Sequence, residues 1–297
     1  MRLIFLGCGY LGFNLSEQLK HDFETELWGI DSPYAPKSDC FRLVDAFDAD
    51  AMRNMDCRDA VVVDTVSLVG NNASSDDEEG VLSALKQKYE GLLKGLQEGG
   101  AKQFVFFSSG GTVYGNISHP ASESDPVHPM SLYARSKVMI EDLLKESGMD
   151  YLILRLSNPF GGYQLAGKKQ GVIPILIRAA LLNEVFTMWI DGHSVRDYFY
   201  IDDLAQALRL LLEKDVHREI LNVGSGIPTE LNEVIAAVEE TTGCPVRIRR
   251  EENNVPMVSA IVLNTEKLQK LTGYSPAVSL AEGICLETLR IRKEEGL

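Results

Sequence analysis

Tyr133 and Lys137 stand four residues apart in LYARSK, on a stretch whose apolar spacing predicts a helix, so both side chains leave one face about one turn apart. That spacing has a chemical use. A phenol titrates at about 10 in water, but an ammonium about 4 Å away at an effective dielectric of about 20 is worth about 4 kcal/mol, or about three pKa units. With a second positive charge nearby, Tyr133 becomes a general base for work near neutrality. The plain alternative is an exposed helix face with an aromatic ring tucked inward.

A second group of residues has the pattern that holds a dinucleotide, whose oxidised nicotinamide would bring that second charge. Gly7, Gly9 and Gly12 form GxGxxG directly after an apolar strand and at the start of a helix. The first glycine permits a tight turn, the second lets the backbone approach a pyrophosphate, and the third allows close packing, while the helix N-terminus faces the anion. Asp31, in WGIDS at the end of the next strand, is placed to accept hydrogen bonds from both ribose hydroxyls. No Arg immediately follows it, so NAD is favoured over its 2′-phosphorylated form. Otherwise the glycines end a strand and Asp31 caps a turn.

The elements around these residues alternate between short apolar runs and amphipathic stretches, the pattern of βαβ units with a parallel sheet covered by helices. Strands are predicted at 3–6, 26–30, 41–44, 60–65, 103–108 and 151–156, and helices at 11–20, 81–98 and 132–146. The acidic run 76–79 before the second helix is better placed to face the positive end of its dipole than to hold a metal. Beyond Asn158 the chain loosens into GGYQLAGKKQG, followed by an apolar helix at 172–182 and a strand-then-helix pattern at 197–212. We therefore place a dinucleotide domain at 1–165, with a return at about 191–215, and a substrate lobe at 166–190 and 216–297.

Composition bounds the partners. Lys and Arg total 29 against 43 Asp and Glu, a net charge of −14, and this field disfavours nucleic acid and anionic membrane. No stretch of the 297 residues reaches the roughly 20 apolar residues of a membrane span. Five scattered cysteines, Cys8, Cys40, Cys57, Cys244 and Cys285, indicate neither a disulfide framework nor a metal site, so a reducing cytoplasm is expected. The letters before Cys8 are too few for a secretion signal.

Taken together, the motifs resemble the extended short-chain dehydrogenase/reductases, in particular the UDP-glucose 4-epimerase branch of the NAD-dependent epimerase/dehydratase family. The resemblance spans nearly the whole chain. It rests on GCGYLG at 7–12, Asp31, Asp45 after a third strand, FVFFSSGGTVYG at 104–115, the Tyr133/Lys137 pair, LRLSNPFG at 154–161 and VRDYFYIDDLA at 195–205. It implies a Rossmann-type doubly wound parallel sheet holding NAD and a smaller C-terminal mixed α/β lobe holding a nucleotide sugar. By position, Gly7, Gly9, Tyr10, Leu11, Gly12 and Asp31 resemble cofactor ligands, and Asp45 the acid beside the adenine. Lys137 would touch the nicotinamide ribose, with Pro159 and Phe160 bordering the ring. Asn158, Val172 and Arg196 would meet the sugar nucleotide, while Tyr198 and Asp202 would brace their strand.

Two departures concern function. The family's catalytic hydroxyl position is Gly110 here, so another hydroxyl must serve. Thr112 is the first choice, because alternation along an extended segment would return it to the same side, and Ser109 is the second. A family Arg that grips the diphosphate aligns with Asn254, leaving Arg250 or Arg249 to substitute. Relatives that eliminate or decarboxylate carry a carboxylate just after the catalytic hydroxyl, whereas this chain has Gly110, Gly111 and Thr112. Epimerisation through a transient ketone is therefore expected, with reduction of a keto-sugar as the alternative. A non-catalytic dinucleotide sensor is a further one, supported by Gly110 and opposed by the intact Tyr133/Lys137 pair. The resemblance also implies a homodimer through the helices at 81–98 and 132–146. Sugar choice is expected to lie with Gln164, Lys168, Lys169, Val172 and Trp189.

Overall fold

The structure, a computed structural model, describes all residues except 49–50, 52–54, 72, 165–170, 190–191 and 252–257. Strands β1 (Arg2–Leu6), β2 (Glu24–Gly29), β3 (Phe41–Leu43), β4 (Val61–Asp64), β5 (Gln103–Ser109) and β6 (Tyr151–Leu156) join β10 (Glu219–Val223) in one parallel sheet. Its order is β10-β6-β5-β4-β1-β2-β3. The chain reverses direction across the sheet between β1 and β4, and that is where a doubly wound fold opens its ligand crevice at the strands' C-terminal ends.

Both faces of the sheet are covered, which is why its strands read as continuous apolar runs. On one face α1 (Tyr10–Leu19) lies beside α6 (Ile201–Glu213), burying Leu15, Leu204 and Leu208. On the other, α2 (Glu78–Glu98) and α4 (Leu132–Glu146) bury Tyr89, Leu92, Leu96, Ile140 and Leu144. Each such aliphatic side chain contributes about 1.5–3 kcal/mol of transfer free energy. The acidic run before α2 does local work, since the Asp77 carboxylate caps the helix by accepting the Gly80 N–H at 2.9 Å. Ser131 caps α4 in the same way, which sets the phase of the helix carrying Tyr133 and Lys137.

Two small sheets complete the molecule. One is β7 (Asn158–Phe160), β9 (Val195–Tyr200) and β11 (Pro228–Glu230), and the other pairs β8 (Val185–Met188) with β12 (Arg247–Arg250). Helices α5 (Val172–Leu181), α7 (Leu231–Thr242) and α9 (Leu280–Glu295) pack together beside them, and α8 (Glu266–Thr272) lies against β10. The lobe boundary expected at 216 is corrected by β10, which returns the chain to the edge of the main sheet against β6. Its ILNV run is apolar enough for a buried strand, but only pairing with a distant segment reveals which sheet it joins.

Candidate active site

Strand β1 delivers the chain to Gly7, whose φ of +98° is open to glycine at little cost. Gly9 is the N-cap of α1, has no side-chain cap, and leaves open space where a Cβ would lie. The first N–H groups of α1 therefore face an unobstructed cradle suited to a pyrophosphate. A Cβ on Gly12 would stand 2.0 Å from the Gly7 carbonyl oxygen, so the turn closes only around glycine. Thr65 buttresses it, its hydroxyl lying 2.7 Å from the Leu6 and 3.0 Å from the Gly7 carbonyl oxygen. The Tyr10 hydroxyl donates to the Gly161 carbonyl, and Leu11 packs part-buried against the core. Asp31 is exposed just beyond β2, and Asp45 is exposed with one carboxylate oxygen accepting the Phe47 N–H.

Lys137 is 6% exposed, and its Nζ donates to the Phe107 carbonyl at 2.9 Å. The ammonium lies 4.7 Å from the Phe106 ring centre and 5.6 Å from that of Tyr133. Burial pushes it down to about 8, with Asp64 and then Glu141 opposing. The phenol of Tyr133 is pushed up by burial and drawn back by a hydrogen bond with the Ser109 side chain. The Lys137 share of the expected acidification is outweighed by burial in the protein by itself; the expectation also included the positive charge of a nicotinamide. The ammonium sits over the ring and is held by a carbonyl, so in the protein by itself desolvation of the phenol wins.

The hydroxyl beside Tyr133 is thus that of Ser109, the last residue of β5. Thr112 was favoured on the premise of an extended segment, but residues Gly110–Val113 form a helical turn, α3, and alternation does not apply. The Thr112 hydroxyl instead donates back to the Ser109 carbonyl at 3.4 Å. A Cβ at Gly110 would meet Leu263 methyls at 2.6 and 2.9 Å and the Arg155 carbonyl oxygen at 3.1 Å. The volume a family hydroxyl would need is therefore filled.

Of the substrate candidates, Asn158 lies on β7 with its amide donating to the Asp197 carbonyl at 3.0 Å. Val172 opens α5 and is half-buried. The Arg196 guanidinium donates to the carbonyls of Val195, Val258 and Ser259, which ties β9 to the 258–259 segment. Arg250 is exposed at the end of β12, Trp189 is exposed, and Gln164 is buried. The Phe160 ring is buried edge-on to Tyr200 and against Gly283 of α9. Asp202 accepts a hydrogen bond from Gln18, tying the start of α6 to the glycine helix α1 beside it. Lys168, Lys169 and Asn254 lie outside the described residues.

Sequence reasoning passed over Asp64, Thr65, Tyr89 and Leu263. A carboxylate closing the run VVVD was the available signal for the first; the others acquire meaning only through contacts across the fold.

A profile described as the NAD dependent epimerase/dehydratase family matches residues 5–224. A dTDP-4-dehydro-6-deoxyglucose reductase of Escherichia coli is 37% identical over 198 residues, 65% of this chain and 62% of that protein, so the match spans less than two thirds of that relative. A putative UDP-glucose 4-epimerase of Methanocaldococcus jannaschii is 28% identical over 96% of both chains. Among solved structures, a UDP-glucose 4-epimerase of Thermus thermophilus in complex with NAD superposes with a TM-score of 0.87 at 27% identity, covering 98% of this chain and 99% of that one.

Proposed function

The chain belongs to the NAD-dependent epimerase/dehydratase family, and from that premise we propose that it epimerises a nucleotide-activated sugar through a transient ketone. NAD, held by the glycine turn after β1 and the N-terminus of α1, would supply a hydride acceptor that can return the hydride, together with a positive charge. The residues do the rest. Tyr133 takes the proton from a sugar hydroxyl, Ser109 holds that hydroxyl and the phenol in line, and Lys137 favours the phenolate electrostatically. The observation that carries this reading is the convergence of Tyr133, Ser109 and Lys137 at the C-terminal end of β5, with Gly110, Gly111 and Thr112 adding no carboxylate for elimination.

A second reading, stoichiometric reduction of a keto-sugar, is favoured by the E. coli reductase, more similar over its matched span than the M. jannaschii epimerase. One assay separates the two. A panel of nucleotide sugars is screened for epimer product while reduced-cofactor absorbance is followed: epimerisation leaves the absorbance unchanged, and reduction spends it. In either case Tyr133→Phe should lower kcat by about 10²–10⁴-fold with KM little changed. Wild-type turnover in the Tyr133→Phe variant would end the assignment. We further infer a homodimer through α2 and α4 and residence in a reducing cytoplasm, the latter supported by five free cysteines.

A further inference from the structure

Asp64 is the last residue of β4, 1% exposed, in register between Leu6 of β1 and Phe106 of β5. A carboxylate at the end of a buried apolar strand is costly to keep ionised, so its surroundings must account for it. Its two oxygens accept the Val66 N–H at 2.9 Å and the Tyr89 hydroxyl of α2 at 2.7 Å. Neither partner carries positive charge. Burial pushes its carboxyl above the usual carboxylate range, and the cation that draws it back is Lys137 of α4, whose Nζ lies over the ring of Phe106, the β5 residue in register with Asp64.

Lys137 has the complementary problem. It is buried, its bond to the Phe107 carbonyl is to a neutral group, and the two acids that act on it are Asp64 and Glu141. Glu141 is already neutralised: Arg155 holds both its oxygens at 3.0 and 2.6 Å, and Ser108 donates to it at 2.6 Å. Asp64 faces no such guanidinium. The titratable groups around this pair are Tyr89 from α2 and Tyr133 and Glu141 from α4.

We propose that Asp64 is a positioning residue of the active site, the buried counter-charge that keeps the Lys137 ammonium charged and poised beneath Tyr133. The inference rests on the Tyr133/Lys137 reading given above and names a group in the strand floor through which that pair is tuned. Asp64 touches neither reacting atoms nor, through its hydrogen bonds, anything but the protein; it acts through Lys137.

The test reads Lys137 directly. The full chain is labelled with ¹³Cε-lysine, the Lys137 resonance is identified by its loss in Lys137→Met, and its titration is followed by NMR in wild type, Asp64→Asn and Asp64→Ser. Both substitutions remove the charge, and two sizes are used so that one folded variant suffices, judged by circular dichroism. The Lys137 midpoint should fall by at least about half a pH unit, threefold in proton affinity. An unchanged midpoint in a folded variant overturns the proposal. Because the readout needs no turnover, a nucleotide-sugar panel without activity would sink the proposed function and leave this result standing or falling by itself.

Discussion

At the scale of single residues, the question is where a hydroxyl can stand beside the base. Position 110 has no room, because Leu263 and the Arg155 carbonyl occupy the direction of its Cβ. Gly110→Ser is therefore expected to cost about 1–3 kcal/mol through overpacking, seen as a lower midpoint in thermal or urea unfolding, without raising kcat. Trimming the obstacle in Gly110→Ser/Leu263→Ala should return part of the loss, because the two sites are in contact and so couple. Stability equal to wild type in the single variant would show that Leu263 moves aside freely. The same geometry explains what could be read in advance. Tyr133 and Lys137 were legible because a helical spacing fixes their common face, and Ser109 was legible only as a candidate. The choice between Ser109 and Thr112 turned on whether residues 110–113 are extended, which depends on how β5 ends in the fold.

At the scale of elements, the β1 turn and α1 form one device. The helix can start one turn after the strand because Gly12 lets its backbone approach Gly7, and Thr65 fixes both carbonyls of the turn. Gly12→Ala would push a methyl to 2.0 Å from a carbonyl oxygen, so the turn must open and the N–H groups of α1 must swing from the cradle. NAD affinity measured by calorimetry should fall by about 10²-fold or more, while Gly9→Ala, with open space at its Cβ, should fall much less. Equal losses at both positions would mean that the crevice, not the turn, sets affinity. The parallel strands and their helices were legible as a series because doubly buried strands write themselves as short apolar runs. Of the sheet of β7, β9 and β11 only β9 was, as the strand-then-helix pattern at 197–212, since β7 and β11 have three residues each and are defined by pairing with β9 tens of residues away. Assignment of Glu219–Val223 to the lobe failed for the same reason.

At the scale of the whole molecule, no helix among the described residues is long and apolar enough to cross a membrane, and α2 and α4 lie side by side on one flank. If that flank pairs two copies, sedimentation at micromolar concentration should give about twice the 32.9 kDa chain mass, and Leu143→Glu on α4 should shift it toward monomer. A wild-type monomer at that concentration would remove the dimer. The opposite end of the sheet from the active site carries a separate charge cluster. Lys102 ahead of β5, Asp150 ahead of β6, and Asp215 and His217 ahead of β10 tie the N-terminal ends of three strands together. Asp215 and Asp150 raise the His217 pKa above its usual 6.5. A histidine whose folded pKa is raised binds its proton more tightly when folded, so its stabilisation is complete below about 6.5 and is lost as pH rises through the folded value. The imidazole is 36% and Asp215 67% exposed, so solvent screening holds the effect to about 0.5 kcal/mol, or about 1–2 °C in Tm for a chain of this size. His217→Gln should therefore melt below wild type at pH 6 and close the gap by pH 9, and a gap that widened with pH would mean the two aspartates do not hold the proton there.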